Sequence, residues 1–471
     1  MKKDDLKDRT FKFSISINGL VDLLPKRKTT ILFLILIIPV FVSAQENLLN
    51  AGPMPGYSEM KEASIWLQTK EEVTVFAKYW DVNNPDNAHL TNVIKTCKCK
   101  AFTAVLIADT VEPGNQYRYD LYIDNQKIEF KYETRFQTQA LWKWRGNPPD
   151  FSFLMGSGAY INETIYDRPG KPYGGDYEIY HSMANTKADF MIWLGDNLYL
   201  REPDWNSWTG IIHRYTHDRS LPEMQEFLAS THHYAIWDDH DYGPNDSDRS
   251  FWNKNKTREA FRLFWANPSY GVGNIEGAIS FFQWGDADFY LLDNRTYRTP
   301  NNLQADNKTQ LGDEQLQWLF DNLVSTYSTF KFVVMGGVFL STSGVYESYT
   351  NYGFEKERQK IIDFIYENDI KNVIFLTGDV HFSEVSVLRK EGNPTIWDIT
   401  SSPLNSGVNI YGQDQNNTLR IPESVIMERN FAEVALSGAR NERKVKITYF
   451  NKKGEKIWDY EFGAENRPKQ H

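Results

Sequence analysis

A chain of 471 residues with 41% hydrophobic content can bury a large core, which excludes a disordered protein and favours one big catalytic domain with a smaller companion. A formal net charge of −10 argues against sequence-specific nucleic-acid binding, which needs a basic footprint over phosphates. Aromatics at 15% suit a β-rich protein or a ligand-stacking groove equally.

The first expected element is a leader. Lys26-Arg27-Lys28 precede an apolar run from Ile31 to Val42, and Val42-Ser43-Ala44 closes it with a small-x-small step. This reads as a signal peptide over residues 1–44, cleaved after Ala44, because the run is short against the roughly 20 apolar residues of a membrane span. The long stretch ahead of Lys26 keeps an uncleaved anchor open as the alternative. Export to a secreted or periplasmic location is expected, with membrane contact only through this segment. Cys97 and Cys99 are the only cysteines. One residue between them makes a mutual disulfide awkward, so no disulfide scaffold is expected.

From residue 50 to 140 apolar residues alternate with a period of two, in Ser64–Thr69, Val73–Tyr79, Ala101–Leu106 and Gln116–Ile123. Bounded by Asn, Asp, Gly and Pro, these read as strands of a small all-β sandwich. Val111–Tyr119 resembles the approach to a late strand in fibronectin type III domains, so an all-β fibronectin/Ig-like domain is expected here.

Beyond residue 150 the strands become apolar throughout and end in polar clusters. Phe151–Met155 runs into Gly156-Ser157-Gly158, Asp189–Leu194 into Gly195-Asp196, and Tyr234–Trp237 into Asp238-Asp239. Phe289–Leu292 runs into Asp293, Lys331–Met335 into Gly336-Gly337, and Val373–Thr377 into Gly378-Asp379. Helices are expected at Leu221–Ser230, Lys256–Trp265, Asp313–Ser325 and Glu355–Asn368. Strands apolar on both faces are covered on both faces, which gives an α/β class. Ligands in such folds collect at the carboxyl ends of strands, where these clusters sit.

A carboxylate placed directly after a buried strand is held by backbone hydrogen bonds, so several of them and a His can converge on hard or borderline cations. Asp196, Asp239, Asp379 and His381 fit, and Tyr199 is close enough to Asp196 to join as a phenolate. Two metals about 3.5–4 Å apart can hold a phosphoryl group, activate water and neutralise a leaving oxygen. Asn245 and Asp246 follow on a turn-rich loop, as a supporting carboxylate, a substrate contact or a solvated turn. Trp205, Trp208, Tyr270 and Trp284 are groove candidates, with core packing as the default.

Five segments in order carry a resemblance to the PhoD-like phosphatases, a branch of the calcineurin-like metallophosphoesterases. They are Gly195–Tyr199, Trp237–Asp241, Asp293–Arg298, Leu311–Gln315 with Trp318-Leu319, and Thr377–Phe382. The resemblance implies a catalytic domain over 150–450, built as a metallophosphoesterase-type β-sandwich flanked by helices. It implies two or more metal ions, Ca2+ and Fe3+, and a small phosphate-ester substrate. Asp196 would bridge the metals, Tyr199 and His381 would bind the ferric-type ion, and Asp239 with Asp379 would complete the coordination. His240 would protonate the leaving group or stabilise the transition state. Arg295 and Arg298 stand past a strand end, where a guanidinium fork matches phosphate oxygens or forms a structural ion pair. The chain departs from the pattern at Gly158, where the family usually carries a Cys ligand. Another group or a water then fills that position, the metal differs, or activity is reduced. Phospholipase- or nucleotidase-type use of the same centre, and a surface binding protein on a degenerate scaffold, are the alternatives.

Overall fold

The computed structural model describes residues 48–344 and 348–465. The leader expected over residues 1–44 lies outside them. Among the described residues no helix is long and apolar enough to cross a membrane.

Two six-stranded sheets form the centre. In the first, Phe151–Gly156, Phe190–Leu194 and His232–Ile236 pair in parallel. The antiparallel strands Asn430–Ser437, Lys444–Asn451 and Lys456–Gly463 extend that sheet past the expected boundary at residue 450. In the second, Ala287–Leu291, Phe330–Val334, Val373–Thr377 and Ile396–Thr400 run parallel. Ser280–Trp284 and Glu384–Leu388 close its edges antiparallel.

The central strands are apolar on both faces because both faces are covered. Phe190, Ile192 and Leu194 join Phe289, Leu291, Phe332 and Val334 in a core between the sheets, whereas Met191 and Trp193 belong to a second cluster. Phe153 packs edge-on against Phe289 and Phe332, with ring centroids 5.3 and 5.4 Å apart. Each such ring contributes about 1.5–3 kcal/mol by leaving water. The helices Glu178–Asn185, Trp208–Arg219, Pro222–Ser230 and Lys254–Phe264 share the second cluster with the outer face of the first sheet. Asp313–Ser325 and Glu355–Glu367 cover the second sheet. Thr257, Ala260, Phe261 and Phe264 are the buried residues of Lys254–Phe264, a spacing that lays one stripe of an α-helix on the core.

The N-terminal β region forms an antiparallel sheet of Leu49–Ser58, Ala63–Thr69 and Thr103–Ala108. A second sheet is built on the pair Thr74–Asp81 and Gln116–Ile123. This region is tied to the first central sheet: His232 Nδ1 lies 2.7 Å from Gly56 O, and the Ser58 amide donates to Tyr234 Oη at 3.1 Å. Cys97 and Cys99 form a disulfide, which corrects the expectation that they stay apart. The tight turn Lys98–Lys100 bends the chain between them and brings the two Cα atoms to 5.2 Å, inside the ordinary span of a bridge.

Candidate metal centre

The carboxyl ends of the parallel strands meet over the rim of the two sheets. Gly195 has φ +88°, and a Cβ there would stand 2.7 Å from Asp238 Cβ, so two acid-bearing strand ends approach as only glycine permits. Asp196, Asp379 and His381 also hold left-handed backbone, with φ of +50°, +66° and +59°. Such conformations are uncommon outside glycine, least so for Asp and His, and gather where surrounding structure holds a functional side chain in place.

Tyr199 Oη donates to Asp196 Oδ2 at 2.9 Å and lies 3.0 Å from His381 Nε2. On the other side of the imidazole, Nδ1 is 2.6 Å from the Gly407 carbonyl oxygen and 3.0 Å from Tyr173 Oη. A carbonyl only accepts, so Nδ1 carries the proton and Nε2 keeps its lone pair. Burial holds His381 down at about 4, so the ring is neutral, as a metal ligand must be. Ligand atoms of Asp196, Asp239 and His240 lie within 4.8 Å of one another, as do those of Asp238, Asp239 and Asp379.

These acids are costly to keep together without a cation. Burial, then the charges of Asp239, Asp238, Asp241 and Asp379, push Asp196 well above the usual carboxylate range. Burial opposes ionisation of Asp239 too, but the charges of His240 and Arg295 outweigh it and hold this carboxyl at about 2. Burial and Asp196 raise the Tyr199 phenol far above its ordinary value. Asp196 Oδ1 and Asp239 Oδ1 are buried without a hydrogen-bond partner, which a bound cation would satisfy. The donor set therefore fits metal ions.

The remaining predicted residues fall in different places. His240 lines the cleft, its ring 4.2 Å from that of Tyr199 and its Nε2 4.0 Å from Asp239 Oδ2. Asn245 and Asp246 line the same cleft, and the Asp246 amide donates to Asp239 Oδ2 at 2.7 Å. Arg295 and Arg298 are not among its lining residues and both are fully buried; of the two roles expected for them, this setting favours the structural one over the phosphate contact. The Asp293 carboxylate accepts from the amides of Arg295 and Thr296, each at 2.9 Å. From this turn Arg295 reaches the interior, where Nε donates to Asp238. Arg298 donates to Asn301 at 3.1 Å and covers the Phe354 ring at 4.5 Å.

Gly158 has φ +74°, and a Cβ there would stand 2.8 Å from Ser406 Oγ, so the hydroxyl occupies space that a side chain at this position would need. Ser157 Oγ donates to the Ser401 carbonyl at 3.3 Å. Trp205 and Trp208 pack against the core and Trp284 is buried in it; none lines the cleft. Asp241 was left without a role by the motif. It accepts from the Asp238 and Asn197 amides at 3.0 and 3.1 Å, braces the two acid-bearing turns against each other, and is pushed up to about 8 by burial. Tyr173, Gly407 and Asn409 also line the cleft from loops with no local signal.

Comparison with known proteins agrees with this architecture. A family model described as PhoD-like phosphatase matches residues 164–459, and one for a domain of unknown function matches residues 46–141. Alkaline phosphatase D of Bacillus subtilis (strain 168) is 28% identical over 396 residues, 74% of this chain; the chain spans 62% of that protein's length. The solved structure of PhoD superposes with a TM-score of 0.70 at 18% identity, covering 86% of this chain and 91% of the other. A purple acid phosphatase from yellow lupin (Lupinus luteus) seeds gives 0.62 at 11% identity, over 87% and 74% of the two chains. With its matched segment spanning more than half of the sequence and its strand ends assembled as described, the chain belongs to the PhoD-like phosphatase family.

Proposed function

We propose that this chain is exported and hydrolyses small phosphate esters at a two-metal centre. The observation that carries the reading is the convergence of Asp196, Asp239, His240, Asp379 and His381 on one cleft of about 520 Å3. In this reading Asp196, Tyr199, Asp239, Asp379 and His381 would hold the metal ions. Bound there, the ions supply positive charge to the phosphoryl oxygens and make water a better nucleophile near neutral pH. Carboxylate oxygens suit Ca2+, and the phenol with imidazole suits Fe3+. Gly158 brings no thiolate, so the donors are oxygen and nitrogen throughout.

His240 is the proton donor. It faces the cleft, and Asp239 at 4.0 Å favours its protonated form, from which a proton passes to the leaving oxygen. His381 is unsuited to that task because its proton is engaged by the Gly407 carbonyl. Arg295 acts through Asp238 and Asp239 as a positioning residue. The N-terminal β region, read as a fibronectin-like sandwich, braces the first sheet.

Hydrolysis of p-nitrophenyl phosphate and bis-p-nitrophenyl phosphate, followed alongside the metal content of the purified protein, tests the reading. Turnover that tracks metal loading is expected. No turnover of either ester with Ca2+, Fe3+, Mn2+ or Zn2+ would sink the hydrolase.

A further inference from the structure

The walls of the cleft divide by chemistry. Its floor carries Asp196, Asp239 and Asp379 with the two histidines, the exposed Asp246 stands at its mouth, and its described lining residues include no Lys or Arg. Its rim carries Tyr352, Ile410 and Tyr411, which leave 38%, 65% and 64% of their surface exposed. One exposed apolar residue is ordinary, but three on the edge of one polar cleft form a patch of the kind that binds something.

The rim is also held in register with the floor. The Asn409 amide donates to the His381 carbonyl at 2.8 Å and its Nδ2 to the Val380 carbonyl at 3.2 Å. The Tyr411 amide donates back to Asn409 Oδ1 at 3.0 Å. Ile410 and Tyr411 thus ride on a segment clamped to the loop that carries Asp379 and His381.

We propose that Tyr352, Ile410 and Tyr411 form a platform that selects the organic group of the ester, and that this group is flat and apolar, an aryl ring or a base-like heterocycle. The proposal rests on the hydrolase reading for the position of the phosphoryl group at the floor. With the charged end held there, the ester group projects toward the rim, where two phenol rings and a branched aliphatic chain offer stacking and apolar contact. A second phosphate at the rim would meet no lysine or arginine among the described lining residues and would face Asp246. The same walls therefore reject pyrophosphate-type esters.

The test uses the metal-loaded full chain and two non-hydrolysable probes, phenylphosphonate and methylphosphonate, whose dissociation constants are measured by calorimetry. Wild type should prefer the phenyl probe, and Tyr411→Ala should cut that preference by about tenfold, the scale of one lost stacking partner. Tyr411→Phe should keep it, and unchanged metal content in each variant certifies the fold. Equal affinities in the wild type, or a preference untouched by Tyr411→Ala and Tyr352→Ala together, would overturn the platform. The two readings fail separately: a chain that hydrolyses no ester but keeps the phenyl preference loses the hydrolase and retains the platform. Equal affinities in an active hydrolase remove only the platform.

Discussion

Replacing Arg295 by methionine separates a buried strut from a substrate contact. The guanidinium is fully buried; its Nε donates to Asp238 Oδ1, its Nη1 to the Ser247 carbonyl at 3.3 Å, and its Nη2 stands 3.9 Å from Asp239 Oδ1. Methionine fills much of the same volume and carries no charge. It would leave Asp238, also buried, with the Asn294 side-chain amide at 3.0 Å and the Asp241 backbone amide but without the Arg295 guanidinium. Breaking a buried pair from one side costs about 3–5 kcal/mol, because the surviving charge is uncompensated. Adding Asp238→Asn removes that charge, so the double variant should recover at least half of the loss, as replacing both partners usually does. Guanidinium unfolding of the metal-loaded wild type, both single variants and the double variant measures the coupling directly. The folded Arg295→Met enzyme should keep a KM close to wild type. A stability loss below about 1 kcal/mol together with a large rise in KM would refute the strut and return Arg295 to the phosphate.

Asp196→Asn should lower the metal content found by emission spectrometry and abolish ester hydrolysis in step; a variant that keeps both defeats its role as a metal ligand. His240→Asn should lower kcat by about 10²–10⁴-fold with metal content unchanged, whereas loss of metal would make His240 a ligand rather than an acid. His232 is fully buried between Gly56 O at 2.7 Å and the Gln137 amide at 3.1 Å, and burial holds it at about 4 against an ordinary 6.5. The unfolded chain therefore binds the proton first, so stability present above pH 6.5 is lost as pH falls from 6.5 to about 4, by about 3 kcal/mol in all. His232→Gln should flatten unfolding free energy across that window, and a slope equal to wild type would contradict the assignment.

Much of the fold was legible because its central strands announce themselves. An apolar run such as Asp189–Leu194 has only one stable setting, between two covering layers, and the strand Phe190–Leu194 lies there. Asp313–Ser325 and Val373–Thr377 coincide with the observed elements. The helix Trp208–Arg219 was not expected, and its buried face explains why. Its inward residues include Arg214, Asp218 and Arg219, with Arg214 paired to Asp204 at 3.0 Å and Glu163 at 2.9 Å, so a charge network takes the place of an apolar stripe. The division into two sheets was illegible for another reason. Phe151–Gly156 pairs with Asn430–Ser437 across most of the chain, and nothing local encodes such a partner.

The site shows the same division between local and assembled information. Asp196, Asp239, Asp379 and His381 could be picked out as candidates because they follow directly on strand ends, while Arg295 stayed open between two roles because the fork that fits a phosphate fits Asp238 equally well. Only burial tells the two apart, and burial is a property of the assembled sheets. Tyr173 and Asn409 were invisible because each acts on His381 or its loop from a distant segment. The most consequential property of the cleft, four carboxylates with no lysine or arginine among its described lining residues, is likewise a fact of assembly. None of the lysines and arginines among the described residues is directed to those walls. Under the proposed two-metal reading, an anionic substrate draws its counter-charge from the metal ions and His240, so its affinity should follow metal loading.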